Sequence, residues 1–258
     1  MDAVVTAGGI PQPGDPLYPY TQGESKALLD IAGKPMIQWV LDALFNSKHV
    51  GQIVVIGLPS RANLECARQV DFVPNQGSLL ENIRAGVKRF LELNPRSSHV
   101  LSVSSDIPAI TAPMVDWVVE TAQQTDHDVY YHVIQREVME ARFPTSKRSY
   151  VHLKDMDVCG GDINVIRSLT VTQKEELWKR LIDARKSALK QAALLGFDTL
   201  VLLMLRRLTL DRAVRMASKR LGIQGRAVVC PYAEIGMDVD KPHQLEIMRS
   251  DFASRVRA

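Results

Sequence analysis

The amino-acid sequence predicts an α/β protein of three layers, a mostly parallel sheet with helices on both faces. Two observations carry this. Short apolar runs rich in β-branched residues, of which Ile53-Val54-Val55-Ile56 is the clearest, alternate with longer amphipathic stretches. That alternation is the pattern of parallel strands joined by helical crossovers. The 258 residues are also 46% hydrophobic and 24% charged, an ordinary globular composition that excludes disordered, collagen-like and repeat-dominated chains. At this length a core forms without a disulfide or metal staple.

Val4-Val5 opens the chain as a strand. A loop over residues 10–25 follows, with prolines at 11, 13, 16 and 19; loops of that length inside a compact domain are usually functional or disordered. Residues 36–47 spell a helix, with Ile37, Val40, Leu41 and Leu44 on one face and Pro35 at a favourable first-turn position. Ile53–Ile56 is a buried strand stopped by Gly57. Residues 60–68 form a weak helix; 78–93 form a strong one, with Ile83, Val87 and Phe90 on its apolar stripe. Val100 to Ser105 is a strand and 112–124 a helix. Strands are expected at 129–134 and 150–153, with extended chain at 162–166. Residues 172–221 are helical in pattern, as 172–184, 185–195, 198–205 and 209–221. Ala227 to Cys230 returns to the sheet, and 241–252 closes with a helix. The expected organisation is one domain over 1–258 with 167–223 as an α-helical insertion or cap. In such a sheet the ligand lies beyond the carboxyl ends of the strands.

The charge balance is 32 Lys and Arg against 29 Asp and Glu, too even for a nucleic-acid-binding chain on bulk charge. It is uneven along the sequence: residues 172–226 carry 13 basic and 5 acidic residues. A solvated helical face, an anionic acceptor pocket, an anionic membrane surface and a dimer contact all fit that segment. Cys66, Cys159 and Cys230 are odd in number, far apart and without zinc spacing, which reads as reduced thiols. The N-terminus has no basic region, and the longest apolar run, Leu200 to Leu205, is short of a membrane span. The expectations are a cytoplasmic location and no integral membrane contact. The oligomeric state stays open, with a homodimer favoured by the frequency of symmetric pairs.

Several short motifs suit chemistry. Ala7-Gly8-Gly9 directly follows the first strand, where glycine backbone can approach a ligand and cradle phosphate. Ser104-Ser105-Asp106-Ile107-Pro108 ends a central strand, which puts Asp106 where such a sheet places its ligand. Asp238-Val239-Asp240-Lys241-Pro242 leads into the last helix, where an acid also favours the helix dipole. Asn75 to Asn82 is a glycine loop entering a helix; Ser78 with Glu81 also spells a capping box.

With the segment Lys26-Ala27-Leu28-Leu29-Asp30-Ile31-Ala32-Gly33-Lys34-Pro35-Met36, the chain resembles the MobA-like and sugar-phosphate nucleotidyltransferases. These open with a strand, a glycine loop, a lysine followed by apolar residues, then G-K-P-[ML] and a helix. The resemblance covers most of 1–166 and 225–252. It implies the nucleotide-diphosphosugar transferase (Rossmann-like, GT-A) fold. It implies a Mg²⁺-dependent enzyme moving a nucleotidyl group from an NTP to a phosphorylated acceptor, such as molybdopterin or a sugar phosphate. By the resemblance, Lys26 binds phosphate, and a lysine's point charge with three donors suits a triphosphate. Asp106 and Asp240 match the metal ligands, and magnesium takes one or two carboxylates plus phosphate oxygens. Ala7, Gly8 and Gly9 hold the triphosphate, while Gln76, Gly77, Ser78 and Asn82 match the base-reading loop. Gly161, Asp162 and Asn164 match the acceptor side, with Lys147, Arg148 and Tyr150 as weaker candidates. The chain departs from the family in its opening loop, where Ile10 to Ser25 contains no arginine or lysine. Two alternatives stand beside this reading. One is a glycosyltransferase using Asp155-Met156-Asp157 as a D-x-D motif; the other is a protein that binds NTP without turnover.

Overall fold

In the computed structural model, which describes residues 1–58, 64–95, 97–174, 177 and 196–257, the chain begins with β1 (Asp2–Thr6), buried throughout. The proline-rich loop contains one helical turn, α1 (Tyr18–Thr21), and ends in a 3-10 turn over Lys26–Leu28. A small hairpin, β2 (Asp30–Ile31) and β3 (Lys34–Pro35), then leads into α2 (Met36–Asn46). The first half continues with β4 (Ile53–Ile56), β5 (Val70–Val73), α3 (Leu79–Leu93), β6 (His99–Ser104) and α4 (Ala112–Gln123). The second half has β7 (Val129–Gln135), α5 (Arg136–Arg142), β8 (Val151–His152), β9 (Asp157–Gly160), β10 (Ile163–Arg167) and α6 (Ser168–Gln173). It closes with α7 (Phe197–Met204), α8 (Leu210–Leu221), β11 (Gly225–Cys230), a 3-10 turn over Ala233–Gly236 and α9 (Pro242–Arg257).

One sheet runs β5-β4-β1-β6-β10-β7, with β11 on the outer edge of β7 and β9-β8 attached at its far end. The pairs β5·β4, β4·β1, β1·β6 and β7·β11 are parallel. β10 is antiparallel to both its neighbours and β9 is antiparallel to β7. The mostly parallel expectation therefore holds, with a reversal at β9 and β10. These two strands are almost one run, bent at Gly161-Asp162.

The alternation of side chains along β1 builds two cores. Ala3 and Val5 face the layer of α2, α4 and α9, together with Ile37, Leu41, Val118 and Leu245. Val4 faces the other way, onto Ile83, Val87 and Phe90 of α3. This is the period-two rule of a strand buried on both faces. Ser78 caps α3 by accepting from Glu81 N at 3.2 Å. Thr209 caps α8 by accepting from Arg212 N. A third, smaller cluster of Val133, Leu153, Val158 and Leu208 seats α7 and α8 against the sheet.

Several elements differ from expectation. Residues 64–69 form no helix, and the start of the expected 60–68 helix falls outside the described residues. The strand β5 and the helix α5 replace expected loop. Pro35 sits one residue before α2, in β3. Within 167–223 the described helices are α6, α7 and α8, of which α7 and α8 match the expected 198–205 and 209–221 helices; the expected 185–195 helix and most of 172–184 lie outside the described residues. Among the described residues no helix is long and apolar enough to cross a membrane.

Candidate active site

After Thr6 the chain leaves the sheet through Ala7-Gly8-Gly9, and Ala7 N donates to Ile56 O at 2.6 Å. The turn is tight enough to require glycine just after each of two strands, Gly8 after β1 and Gly57 after β4. A Cβ on Gly57 (φ +110°) would stand 2.3 Å from Gly8 N. A Cβ on Gly8 would stand 2.8 Å from both Asn75 Oδ1 and Asn82 Nδ2. The long proline loop returns to its own start: Ser25 Oγ donates to Ala7 O at 2.8 Å, and Lys26 N donates to Gly9 O at 2.9 Å. Lys26 is thereby set against Gly9, where a Cβ would meet its Cε at 3.0 Å.

Three segments supply carboxylates opposite this lysine. Asp106 follows the end of β6, where Ser105 N donates to Thr6 O at 3.1 Å. Val239 N donates to Asp106 O at 2.9 Å, which lays Asp238 and Asp240 beside it. At the bend between β9 and β10, Asp162 O accepts from Ser104 N and Asp162 N donates to Ile235 O, at 2.9 and 2.8 Å. Lys26 Nζ lies 2.6 Å from Asp106 Oδ2 and 2.5 Å from Asp240 Oδ1, although Lys26 and Asp240 are 214 residues apart in sequence. Burial opposes the Lys26 charge, but Asp106 and Asp240 outweigh it and hold the ammonium above its ordinary range. Asp162 goes the other way: burial, then the neighbouring Asp106 charge, pushes its carboxyl up to about 7. Arg148 pairs with Asp238.

Around these groups lies a cavity of about 350 Å³, lined by Gly8, Gly9, Lys26, Gly77, Ser78, Asn82, Asp106, Asp162, Asp238 and Asp240 among others. Most of the residues expected from sequence thus meet in one place. Ala7 is buried beneath its loop. Gln76 turns outward and donates to Pro74 O at 2.7 Å. Gly161 N donates to His132 O at 2.8 Å. Asn164 accepts from His132 N and donates to Gly161 O, at 2.9 and 3.0 Å. Gly161 and Asn164 therefore fix the bend that presents Asp162, and they do not line the cavity. Asn82 lines it but is engaged internally, accepting from Gln76 N at 2.7 Å and donating to Asn75 Oδ1 at 3.1 Å.

Asn75 opens the loop that the sequence singled out, but the sequence reading gave it no role of its own. Its Nδ2 donates to Gly8 O at 3.1 Å and its Oδ1 accepts from Gly77 N at 3.0 Å, so it ties the 75–78 loop to the glycine loop. Its place beside Gly77 was visible; its partner 67 residues away was not. Lys34 is engaged elsewhere, paired with Asp42 at 2.9 Å and lying over the Trp39 ring. Asp155 accepts from Leu210 N at the start of α8, and Asp157 pairs with His152; neither lines the cavity.

The cluster carries an excess of negative charge. Asp106, Asp238 and Asp240, with Asp162 only partly ionised near pH 7, outnumber Lys26 and Arg148 among the residues just placed. Asp106 Oδ1 and Asp162 Oδ2 are buried without a hydrogen-bond partner, and such atoms call for a further ion or water. Among the described residues no group of three or more acidic, histidine or cysteine side chains closes around one point. Two carboxylates converging on one point, with phosphate oxygens to complete the set, suit magnesium better than a full protein cage.

The family described as "MobA-like NTP transferase domain" matches residues 3–222. A structure titled a hypothetical transferase from Thermus thermophilus is 32% identical, with a TM-score of 0.82, covering 95% of this chain and 98% of that one. CMP:2-keto-3-deoxy-manno-octonic acid synthetase complexed with CTP aligns at 16% identity and a TM-score of 0.60, over 98% and 99% of the two chains. 4-Diphosphocytidyl-2C-methyl-D-erythritol synthase from Anaerococcus prevotii aligns at 9% identity and 0.58, over 98% and 95%. At those identities the last two show the shared fold, which is the nucleotide-diphosphosugar transferase (Rossmann-like, GT-A) architecture. No curated protein matches the chain in sequence.

Proposed function

This chain belongs to the MobA-like NTP transferase family, and on that premise we propose that it moves a nucleotidyl group from an NTP to a phosphorylated acceptor, releasing pyrophosphate. One observation carries the reading. Lys26, Asp106 and Asp240, from three distant segments, converge within 2.6 Å of one ammonium beside the glycine loop. The Asp240 segment lies outside residues 3–222 of the family match, yet it arrives at the same point.

Gly8 and Gly9 offer open backbone to the triphosphate, and Lys26 supplies the positive charge that Ile10 to Ser25 lacks. The loop at Gly77 and Ser78, held by Asn75 and Asn82, borders the nucleotide's base. Asp162 marks the acceptor side, and Asp238 is oriented by Arg148. Asp106 and Asp240 would hold a divalent cation, which when bound neutralises charge building on the phosphates. The acceptor phosphate is already ionised, so these residues need only bind, orient and exclude water; positioning and electrostatics do the rest.

Pyrophosphate release from each of the five common NTPs, with mixed phosphorylated acceptors and Mg²⁺, tests the reading. Asp106→Ala is expected to lower turnover by ~100-fold or more with the far-ultraviolet dichroism unchanged. Full activity in that variant would remove Asp106 from the site. Binding without pyrophosphate release would favour the non-catalytic alternative.

A further inference from the structure

We infer that Lys26 is a displaceable internal counter-cation, so that the site admits a divalent cation and a triphosphate as one metal–nucleotide ligand and resists the cation alone. This rests on the nucleotidyltransferase reading for its ligand and adds the form in which that ligand enters.

The Lys26 ammonium occupies the gap that a cation bridging Asp106 and Asp240 would need, at 2.6 and 2.5 Å from their oxygens. Two like charges in one gap repel, so a metal ion arriving alone must evict the lysine. A triphosphate arriving alone faces the carboxylates of Asp106, Asp238 and Asp240, which line the cavity beside Asp162. Arriving together, the two exchange partners: the carboxylates take the metal and the lysine takes the phosphates. The geometry favours that exchange. The Lys26 backbone is fixed by Gly9 O, and its stem lies along Gly9. Only the terminal ammonium has to swing from the carboxylates to the open backbone of the glycine loop. The two carboxylates also differ. The Asp106 side chain is 8% exposed and the Asp240 side chain 55%, so the lysine is released first from Asp240, on the solvent side.

Mn²⁺, counted by its electron paramagnetic resonance signal, is the probe. Free Mn²⁺ is titrated into the full chain, into Lys26→Met and into Lys26→Met combined with Asp240→Asn. Lys26→Met is expected to bind Mn²⁺ at least tenfold more tightly than the unaltered chain, and Asp240→Asn to cancel the gain. Equal Mn²⁺ affinity with and without Lys26 overturns the inference. If the methionine variant does not fold, Lys26→Gln, which can still donate to one carboxylate, makes the same comparison. Thermal unfolding of the unaltered chain with Mn²⁺ and inorganic tripolyphosphate, or with Mn²⁺ and each NTP, separates the two levels. No stabilisation by any mixture overturns the nucleotidyltransferase reading. Stabilisation together with unchanged Mn²⁺ affinity in Lys26→Met overturns the counter-cation alone.

Discussion

At Gly57 a single hydrogen atom decides whether the glycine loop at Gly8 can form. Its φ of +110° lies in a region that β-carbon-bearing residues rarely adopt, and a Cβ there would collide with Gly8 N and Cα at 2.3 and 2.4 Å. Gly57→Ala is expected to lower unfolding free energy by about 2 kcal/mol and to abolish NTP-induced stabilisation, read by urea titration and thermal shift. Wild-type NTP binding in that variant would show that the Gly8 loop tolerates displacement. The same scale explains why Asn82 and Asn164 resemble ligand-reading residues in sequence yet tie their own loops together. An amide side chain buried beside loop carbonyls and N–H groups satisfies them. A sequence gives the amide but not its partner.

At the scale of elements, β7 carries a histidine that titrates in the wrong range for a surface group. His132 is fully buried, its Nδ1 lies 2.9 Å from Ile163 O, and Trp117 meets its ring edge-on. Burial lowers its pKa from 6.5 to about 4, against the Ile163 hydrogen bond that raises it. The unfolded chain therefore takes up the proton first as pH falls. Stability from the neutral ring is complete above pH 6.5 and is lost as pH drops toward 4. Asp162, whose folded pKa is raised, works oppositely in part of this window, so the informative quantity is a difference. Between pH 7 and 4.5, the unaltered chain is expected to lose roughly 2 kcal/mol more than His132→Gln in urea unfolding. Identical losses would remove His132 from the pH dependence. The elements that sequence missed are those whose reason is tertiary. The half-buried β5 depends on its ladder with β4, and β9 runs on to the Gly161 bend where it leaves β7. Neither has a strong period of its own.

For the whole molecule, the sheet places the carboxyl ends of β1 and β6 side by side, with β4 on the other flank of β1. The site forms where those ends meet the returning chain at Asp162 and Asp238–Asp240. A ligand spanning that junction links both halves of the sheet, so it should stabilise the chain globally and not one loop. Mg²⁺ with one of ATP, CTP, GTP, TTP or UTP is expected to raise the melting temperature. At a ligand concentration ~100 times Kd the gain in unfolding free energy is about 2.7 kcal/mol. A shift confined to one base identifies the nucleotide; equal shifts with all five would show that the 75–78 loop does not read the base.

The sequence by itself determined the alternation of strands and helices, the glycine loop, Lys26, Asp106 and Asp240, because periodicity and short motifs are local properties of the chain. Only the tertiary structure decided that Asp106 and Asp240 share one ammonium, that Asp162 is the acid presented at the bend, and that Asn75 ties two loops together. Those facts depend on where segments up to 214 residues apart cross. Such crossings are fixed by the packing of two cores on opposite faces of one sheet, not by any neighbouring residue.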